Sequence, residues 1–209
     1  MRIGIIGAGM IGSTAARLFA RAGHEVVVSN SRGPESLRAL VSELGENVRA
    51  MTVDDAARFG DVVLLAVPWR APDALPAPDA VRGKIVIDAM NPYGKGGVLA
   101  DLGTSSSSEE TAKRLPGARI VKAFNTIYYQ HLASQGNASL PESERRAIFV
   151  AGDDADAKAV VSGLIREIGF AAVDTGPLRE GGLRQQPNTP IYNRVLTGAE
   201  AERALKANG

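Results

Sequence analysis

The sequence predicts a doubly wound α/β fold with a mostly parallel sheet, extended at its C-terminal end by a short β-α-β unit and a helical tail. Two observations carry this expectation. Short apolar runs alternate with amphipathic stretches along most of the 209 residues, a rhythm that calls for right-handed crossovers between parallel strands. The first apolar run also leads directly into a glycine-rich turn that opens a helix.

Ile3–Ile6 is the first strand, and Gly7-Ala8-Gly9 turns the chain into a helix over Met10–Ala22. Ile11, Ala15, Leu18, Phe19 and Ala22 share one face of that helix, and Gly23 stops it. Val26–Val28 is the second strand. Pro34 suits the first turn of the next helix, which buries Leu37, Leu40, Val41 and Leu44 and ends at Gly45. A third strand at Val48–Met51 and a short helix at Asp54–Phe59 follow. Val62–Val67 is uniformly apolar, as a strand covered on both faces should be. A Pro-punctuated segment from Trp69 to Asp79 leads to the fifth strand, Ile85–Asp88. Residues 91–108 form a loop rich in Gly and Ser. A helix over Glu109–Leu115 is entered through a capping box at Ser106/Glu109 or Ser107/Glu110. Arg119–Ala123 is the sixth strand. Ala147–Ala151, a helix over Ala155–Ile168, and Ala171–Asp174 make the closing β-α-β unit. The tail from Gly176 carries Pro177, Pro187 and Pro190 and one helix after Thr189.

Composition removes several function classes. With 24 Lys plus Arg against 23 Asp plus Glu, the net charge of +1 offers no general attraction to nucleic acid or an anionic membrane. Aromatic residues at 5% argue against a stacking surface for single strands. The chain has 0 cysteines, which excludes disulfides, thiolate nucleophiles and Cys-ligated metal. His24 and His131 are its only histidines, so a His-rich metal site is not expected. The N-terminal apolar stretch is too short and Gly-rich for a signal peptide, and no run approaches the roughly 18 apolar residues of a membrane span. A cytoplasmic globular protein with no nucleic-acid or membrane partner is the expectation.

Gly7-Ala8-Gly9-Met10-Ile11-Gly12 fits G-x-G-x-x-G. The string alone is weak, but here it follows a strand and opens a helix, the context that dinucleotide binding needs. Gly7 permits the tight turn, Gly9 lets a pyrophosphate approach the backbone, and Gly12 lets helix and strand pack closely. The helix N-terminus, with Met10 and Ile11 in its first turn, offers free N–H groups to the phosphates. Residues 1–125 therefore read as a dinucleotide-binding Rossmann core. Residues 126–209 read as a C-terminal β-α-β and tail packing on the same domain.

The end of the second strand selects the cofactor. NAD binders place an acidic residue there, about 20 residues after the glycines, for the ribose 2′-hydroxyl. This chain has Ser29-Asn30-Ser31-Arg32 instead. Hydroxyls and a guanidinium suit a 2′-phosphate, which an acidic side chain would repel. NADP is favoured over NAD, with Ser29, Ser31 and Arg32 as cofactor residues. Arg38 could assist only if its helix points that way.

A full substrate domain is absent, and no Tyr-x-x-x-Lys pair occurs, since Tyr128 and Tyr129 have no Lys four positions on. The second reactant is expected over the strand ends, beside the nicotinamide. No side chain is singled out as catalytic, which suits an acceptor that is itself a redox cofactor. The segments at those strand ends are Ala66-Val67-Pro68-Trp69, Asp88-Ala89-Met90-Asn91-Pro92-Tyr93 and Phe124-Asn125-Thr126-Ile127-Tyr128. Among them Ala66, Val67, Pro68, Trp69, Ala89 and Asn91 are candidates for the cofactor.

At this point the chain resembles the NADPH-dependent reductases of the deazaflavin coenzyme F420, along with the ferric reductase domains of similar fold. The likeness covers almost the whole chain. It rests on the opening glycines, Ser31-Arg32, Val67-Pro68-Trp69, Lys122–Ile127, Gly152-Asp153-Asp154 and Asp174-Thr175-Gly176-Pro177-Leu178. The resemblance implies hydride transfer between nicotinamide C4 and deazaflavin C5, with F420 as co-substrate and a homodimer as the assembly. It implies Ser31 and Arg32 on the 2′-phosphate, Pro68 and Trp69 bordering the nicotinamide side, and Asn125 and Ile127 against the deazaflavin. Asn125 stands where archaeal members carry His. An Asn there can donate a hydrogen bond to a ring carbonyl but carries no proton. The Asn91-Pro92-Tyr93-Gly94 loop departs from the family pattern too.

Other features have two readings. Trp69 is a cleft wall or a core anchor, and Asp88 is a ligand contact or the cap of the next turn. Asp153, Asp154 and Asp156 fit a helix cap better than a metal. His131 reads as a surface residue on a helix. The stretch Gln185–Tyr192 either folds over the cleft or forms a dimer contact. The alternatives to F420 are another acceptor (flavin, quinone, ferric iron or imine) or a non-enzymatic NADPH-binding module.

Overall fold

In the computed structural model, residues 1–207 are described; Asn208 and Gly209, the end of the expected tail, lie outside them. Strand β1 (Arg2–Ile6) passes through the Gly7–Gly9 turn into α1 (Met10–Arg21), and β2 (Glu25–Ser29) returns beside it. Then come α2 (Arg38–Leu44), β3 (Val48–Ala50), α3 (Val53–Phe59), β4 (Val62–Leu65), α4 (Pro78–Val81) and β5 (Ile85–Asp88). Next are α5 (Ser107–Arg114), β6 (Arg119–Ala123), α6 (Tyr129–Ser134), β7 (Ala147–Ala151) and α7 (Ala155–Glu167). The chain closes with β8 (Ala171–Gly176), α8 (Leu178–Arg184) and α9 (Gly198–Ala207).

One eight-stranded sheet runs in the order β3-β2-β1-β4-β5-β6-β7-β8. All neighbouring pairs are parallel except β6 and β7, where Lys122 faces Ala151 and Ala123 faces Val150 in antiparallel register. The fold is thus the doubly wound, mostly parallel one that the alternation predicts. Strand order reverses between β1 and β4, and the crevice at the carboxyl ends there is where ligands bind in such sheets.

Because side chains alternate along a strand, each central strand supplies both faces of the sheet. Ile3, Ile5, Val28, Leu64, Ile87 and Val121 pack with Ala15, Phe19 and Leu164 of α1 and α7. Ile6, Val27, Leu65, Val86 and Ile120 pack on the opposite side with Ala56, Ala57, Val81, Leu115 and Leu178. A third cluster sets Phe149 and Val173 against Ile191 and Ala201 of the tail. Helices on both faces explain why the interior positions of these strands are apolar toward both sides of the sheet.

Several boundaries move. The strand expected over Val62–Val67 ends at Leu65, where the chain turns into the cleft, and α5 starts at Ser107 rather than Glu109. The Ser106/Glu109 capping box is formed, Ser106 Oγ accepting from Glu109 N–H while the Glu109 carboxylate accepts from Ser106 N–H. The tail holds two helices rather than one: Gly181 and Gly182 inside α8 hide it from propensity, yet both are buried against Ala151, Thr175 and Ser106. Among the described residues no helix is long and apolar enough to cross a membrane.

Candidate functional site: two cavities flanking the glycine turn

The glycine turn meets the steric demands read from its spacing. Gly7 has φ +103° and lies so close to Ala66 that a Cβ would strike the Ala66 carbonyl. A Cβ at Gly12 would strike the Gly7 carbonyl, so α1 can sit against the turn only with glycine there. Gly9 differs: nothing lies within 4 Å of its would-be Cβ. It is the N-cap of α1, no side chain caps it, and no acidic residue occupies the first turn. The fold leaves an open, positively polarised cradle at this point, which fits a pyrophosphate.

A cavity of about 480 Å³ lies on one side of this turn. Gly7 and Gly9, the β2-end residues Asn30, Ser31 and Arg32, and the β4-end residues Ala66, Val67 and Pro68 line it. Ala8, Val53, Ala71 and Ala74, which spacing did not single out, complete the wall. Asn30 shapes its polar end, with its Oδ1 accepting from Arg32 N–H at 2.9 Å and its Nδ2 donating to Ser36 Oγ at 2.9 Å. Arg32 is exposed and has no carboxylate partner among the described residues, whereas Arg38 is paired with Glu35. Arg38 does not line the cavity.

Two sequence expectations need correction here. Ser29 is fully buried and its hydroxyl donates to the Ile5 carbonyl at 3.1 Å, so it ties β2 to β1 rather than facing the cavity. Pro68 shares a wall with Ser31 and Arg32, on the side of the turn where the cofactor was expected. Trp69 lines neither cavity. Its ring is half-buried against α5, with the Arg114 guanidinium 4.5 Å from its centroid. It is a packing anchor.

Across the turn lies a second cavity, of about 190 Å³. Met10 and Ile11 of α1 and Ala89 and Asn91 after β5, all expected on the cofactor, line it together with Asn125 and Ile127 after β6, expected on the second reactant. Tyr192 and Asn193 of the tail also line it, with Phe124, Tyr128 and Tyr129. The tail thus reaches the cleft at Tyr192, and the Gln185 carbonyl meets Asn125. Phe124 adopts φ +65°, a conformation rare for a bulky residue, and its buried ring packs edge-on against Phe19 at 6.2 Å. That kink turns the chain out of β6 and brings Asn125 into the cavity wall.

Asn125 Nδ2 donates to Asn91 Oδ1 at 3.1 Å and to the Gln185 carbonyl at 2.8 Å. Both amide protons are committed, so Asn125 does not offer the ring-carbonyl donor expected of it; its Oδ1 is the buried atom left without a partner. Asn91 Nδ2 donates in turn to the Asn125 carbonyl at 3.0 Å and to Tyr192 Oη at 3.2 Å. Burial, and next the Tyr93 hydroxyl 3.4 Å away, push the Tyr192 phenol above its usual range, with Asn193 opposing. The phenol keeps its proton at neutral pH.

Asp88 resolves as structure. Its Oδ1 accepts from Met90 N–H at 2.9 Å, and its Oδ2 accepts from Ser108 Oγ at 2.7 Å and Thr111 Oγ1 at 3.1 Å. The buried Lys122 ammonium donates to the Met90 carbonyl and to Ser107 Oγ. Together they pin the loop that carries Asn91. Burial pushes the Lys122 pKa down, against the pull of Asp88. Asp154 caps α7 by accepting from Ala157 N–H and is bidentate to Arg119, as a cap reading requires. His131 is half-buried on α6, its ring edge-on to Tyr128 and outside both cavities. Among the described residues no group of three or more His, Asp or Glu side chains is placed to hold a metal ion.

Comparison with known proteins decides the family. Residues 2–92 match the family described as NADP oxidoreductase, coenzyme F420-dependent. A hypothetical protein from Sinorhizobium meliloti has the same fold at 37% identity, with 94% of this chain and 95% of that one covered and a TM-score of 0.81. The chain carries this family's match over residues 2–92 and is an NADP-dependent oxidoreductase. A candidate F420-dependent NADP reductase from Arthrobacter sp. FB24 is 28% identical, with 85% of this chain and 86% of that one covered and a TM-score of 0.72. The metalloreductase STEAP3 of Rattus norvegicus is 29% identical over 178 residues, 85% of this chain. The chain spans only 34% of that relative's length. Within the family, the open Gly9 cradle and the unpaired Arg32 are the features that suit NADP.

Proposed function

We propose that this oxidoreductase passes hydride between NADP(H) and the deazaflavin coenzyme F420. The observation that supports it most directly is the pair of cavities meeting at the glycine turn, one ending in an unpaired guanidinium and the other walled by amides and tyrosines. Arg32, with the Ser31 hydroxyl, would hold the 2′-phosphate by charge-assisted hydrogen bonds. The N–H groups at the start of α1 would face the pyrophosphate across Gly9. NADPH supplies, when bound, a hydride from nicotinamide C4. Met10, Ile11 and Ile127 give the second cavity apolar side chains against which a flat ring would rest. Asn91 and Asn125 hold each other and the tail in place beside it, so the wall against which a flat ring rests is assembled before the ring arrives.

The test mixes the protein with NADPH and F420 and follows the deazaflavin's visible absorbance. FMN, menadione and ferric citrate run in parallel, with NADH as the cofactor control. Fast bleaching with NADPH and F420 together is the expected result. No bleaching, with NADPH binding seen by fluorescence, discards F420; turnover of ferric citrate alone would favour the chemistry named for the STEAP3 relative.

A further inference from the structure

The second cavity has a hydrogen-bond chain with a fixed direction, and the direction singles out one atom. Each Asn amide has two protons and spends both. Those of Asn125 go to the Gln185 carbonyl and Asn91 Oδ1, and those of Asn91 go to the Asn125 carbonyl and Tyr192 Oη. Flipping Asn125 would set its oxygen against two acceptors, and flipping Asn91 would set its nitrogen against the Asn125 donor, so neither amide can reverse. Tyr192 Oη therefore accepts from Asn91, and its own proton is not spent on that chain; the Asn193 side chain and the Tyr93 hydroxyl are its other polar neighbours. The Tyr93 oxygen at 3.4 Å is a long alternative partner for that proton, and Tyr93 does not line the cavity, whereas Tyr192 does.

We propose that Tyr192 is the hydrogen-bond donor to the hydride acceptor, and that it selects acceptors with a carbonyl oxygen or ring nitrogen conjugated to the atom that takes the hydride. This rests on the hydride-transfer reading above. The balance is simple. NADPH gives a hydride and becomes NADP⁺; a new bond to hydrogen forms on the acceptor, at carbon in a deazaflavin, at nitrogen in a flavin and at oxygen in a quinone; the acceptor's π pair moves to the conjugated oxygen or nitrogen. A proton from solvent completes the reduction. The Tyr192 hydroxyl stabilises the negative charge while it develops, and Asn91 is the positioning residue that orients the phenol. Asn125, whose two amide protons are both spent, has no such part; the donor comes from the tail segment instead.

The experiment compares wild type with Tyr192→Phe and Tyr93→Phe. F420 binding is titrated by fluorescence without NADPH, NADPH binding is titrated separately, and kcat and KM follow with F420. Tyr192→Phe is expected to weaken F420 binding about ten-fold and lower kcat about a hundred-fold, with NADPH affinity and thermal midpoint unchanged. Tyr93→Phe, which removes the neighbour and leaves the cavity wall intact, should stay within about three-fold of wild type on both counts. Equal binding and kcat for Tyr192→Phe and wild type overturns the proposal. So does an equal loss in Tyr93→Phe, which would mean that the pair only tacks down the tail. If wild type binds no F420, the F420 reading fails by itself, and the same titrations are run with FMN and menadione. A Tyr192-dependent loss with either supports the donor role, and no binding of either overturns it.

Discussion

The Lys122 ammonium stands 3.5 Å from the Asp88 carboxylate, and both side chains are fully shut off from water. They sit opposite each other on β5 and β6, one residue before the loops that line the second cavity. Breaking such a pair from one side leaves a buried charge uncompensated, which costs about 3–5 kcal/mol. Lys122→Met should lower stability by that amount in urea denaturation. The double variant Asp88→Asn, Lys122→Met should recover much of the loss. An unchanged midpoint for the single variant would contradict the pairing.

Arg32 concerns the nucleotide alone. Replacing it with Ala should weaken NADPH binding by roughly 10- to 100-fold, the loss of one or two charge-assisted hydrogen bonds, and leave NADH nearly unaffected. The NADPH affinity of the wild type should also fall more steeply with salt than that of the variant. Equal losses for NADPH and NADH would remove the 2′-phosphate from this end of the cavity.

The three glycines of the turn separate folding from binding. Gly12→Ala drives a methyl into the Gly7 carbonyl and should cost about 3 kcal/mol, visible as a lowered thermal midpoint without any ligand. Gly9→Ala meets open space, so the protein should fold normally and yet lose NADPH affinity. A Gly9→Ala protein that binds NADPH like wild type would show that the pyrophosphate does not approach there.

Asp154 gives a pH dependence. The Arg119 guanidinium first, and then the Ala157 N–H, hold its carboxyl well below the usual carboxylate range. A depressed folded-state pKa contributes stability that is present in full above the unfolded value, about 3.9, and is lost as pH falls through the folded one. Asp154→Asn keeps the cap and removes the charge. The gap in thermal midpoint between it and wild type should be constant from pH 8 to pH 5, begin to shrink below about pH 4 and go on shrinking as the pH falls toward the folded-state value. A gap that persists at acid pH would assign the effect to geometry instead.

The nucleotide half was largely legible because its signals are local. Gly7, Gly9 and Gly12 act within one turn, Ser106 and Glu109 cap one helix, and Ser31 and Arg32 follow their strand by two or three residues. The acceptor side was not, because its parts meet across 60 to 101 residues: Asn125 with Gln185, Asn91 with Tyr192. No periodicity announces such a meeting. Trp69 was misplaced for a related reason. A strand's end tells which edge of the sheet a residue occupies, and it does not tell whether a side chain there turns into the cleft or onto the neighbouring helix, as Trp69 does onto α5. Ser29 went wrong by parity, since strand alternation turned its hydroxyl inward to Ile5. The donor capacity of Asn125 depended on partners that only the folded chain brings near.

The antiparallel placement of β7 bears on the order in which the molecule is made. Had β7 and β8 run parallel to the rest, the chain would leave β8 at the cleft edge and the next helix would carry it away. Reversed, they leave it at the far edge, and α8 brings it back until Gln185 meets Asn125. Everything that faces the nucleotide in the larger cavity is complete by Ala74, while the second reactant's wall waits for Tyr192. During synthesis from the N-terminus the nucleotide half can fold first, and a nascent chain that already grips NADPH would still lack the donor for the partner that is to receive its hydride.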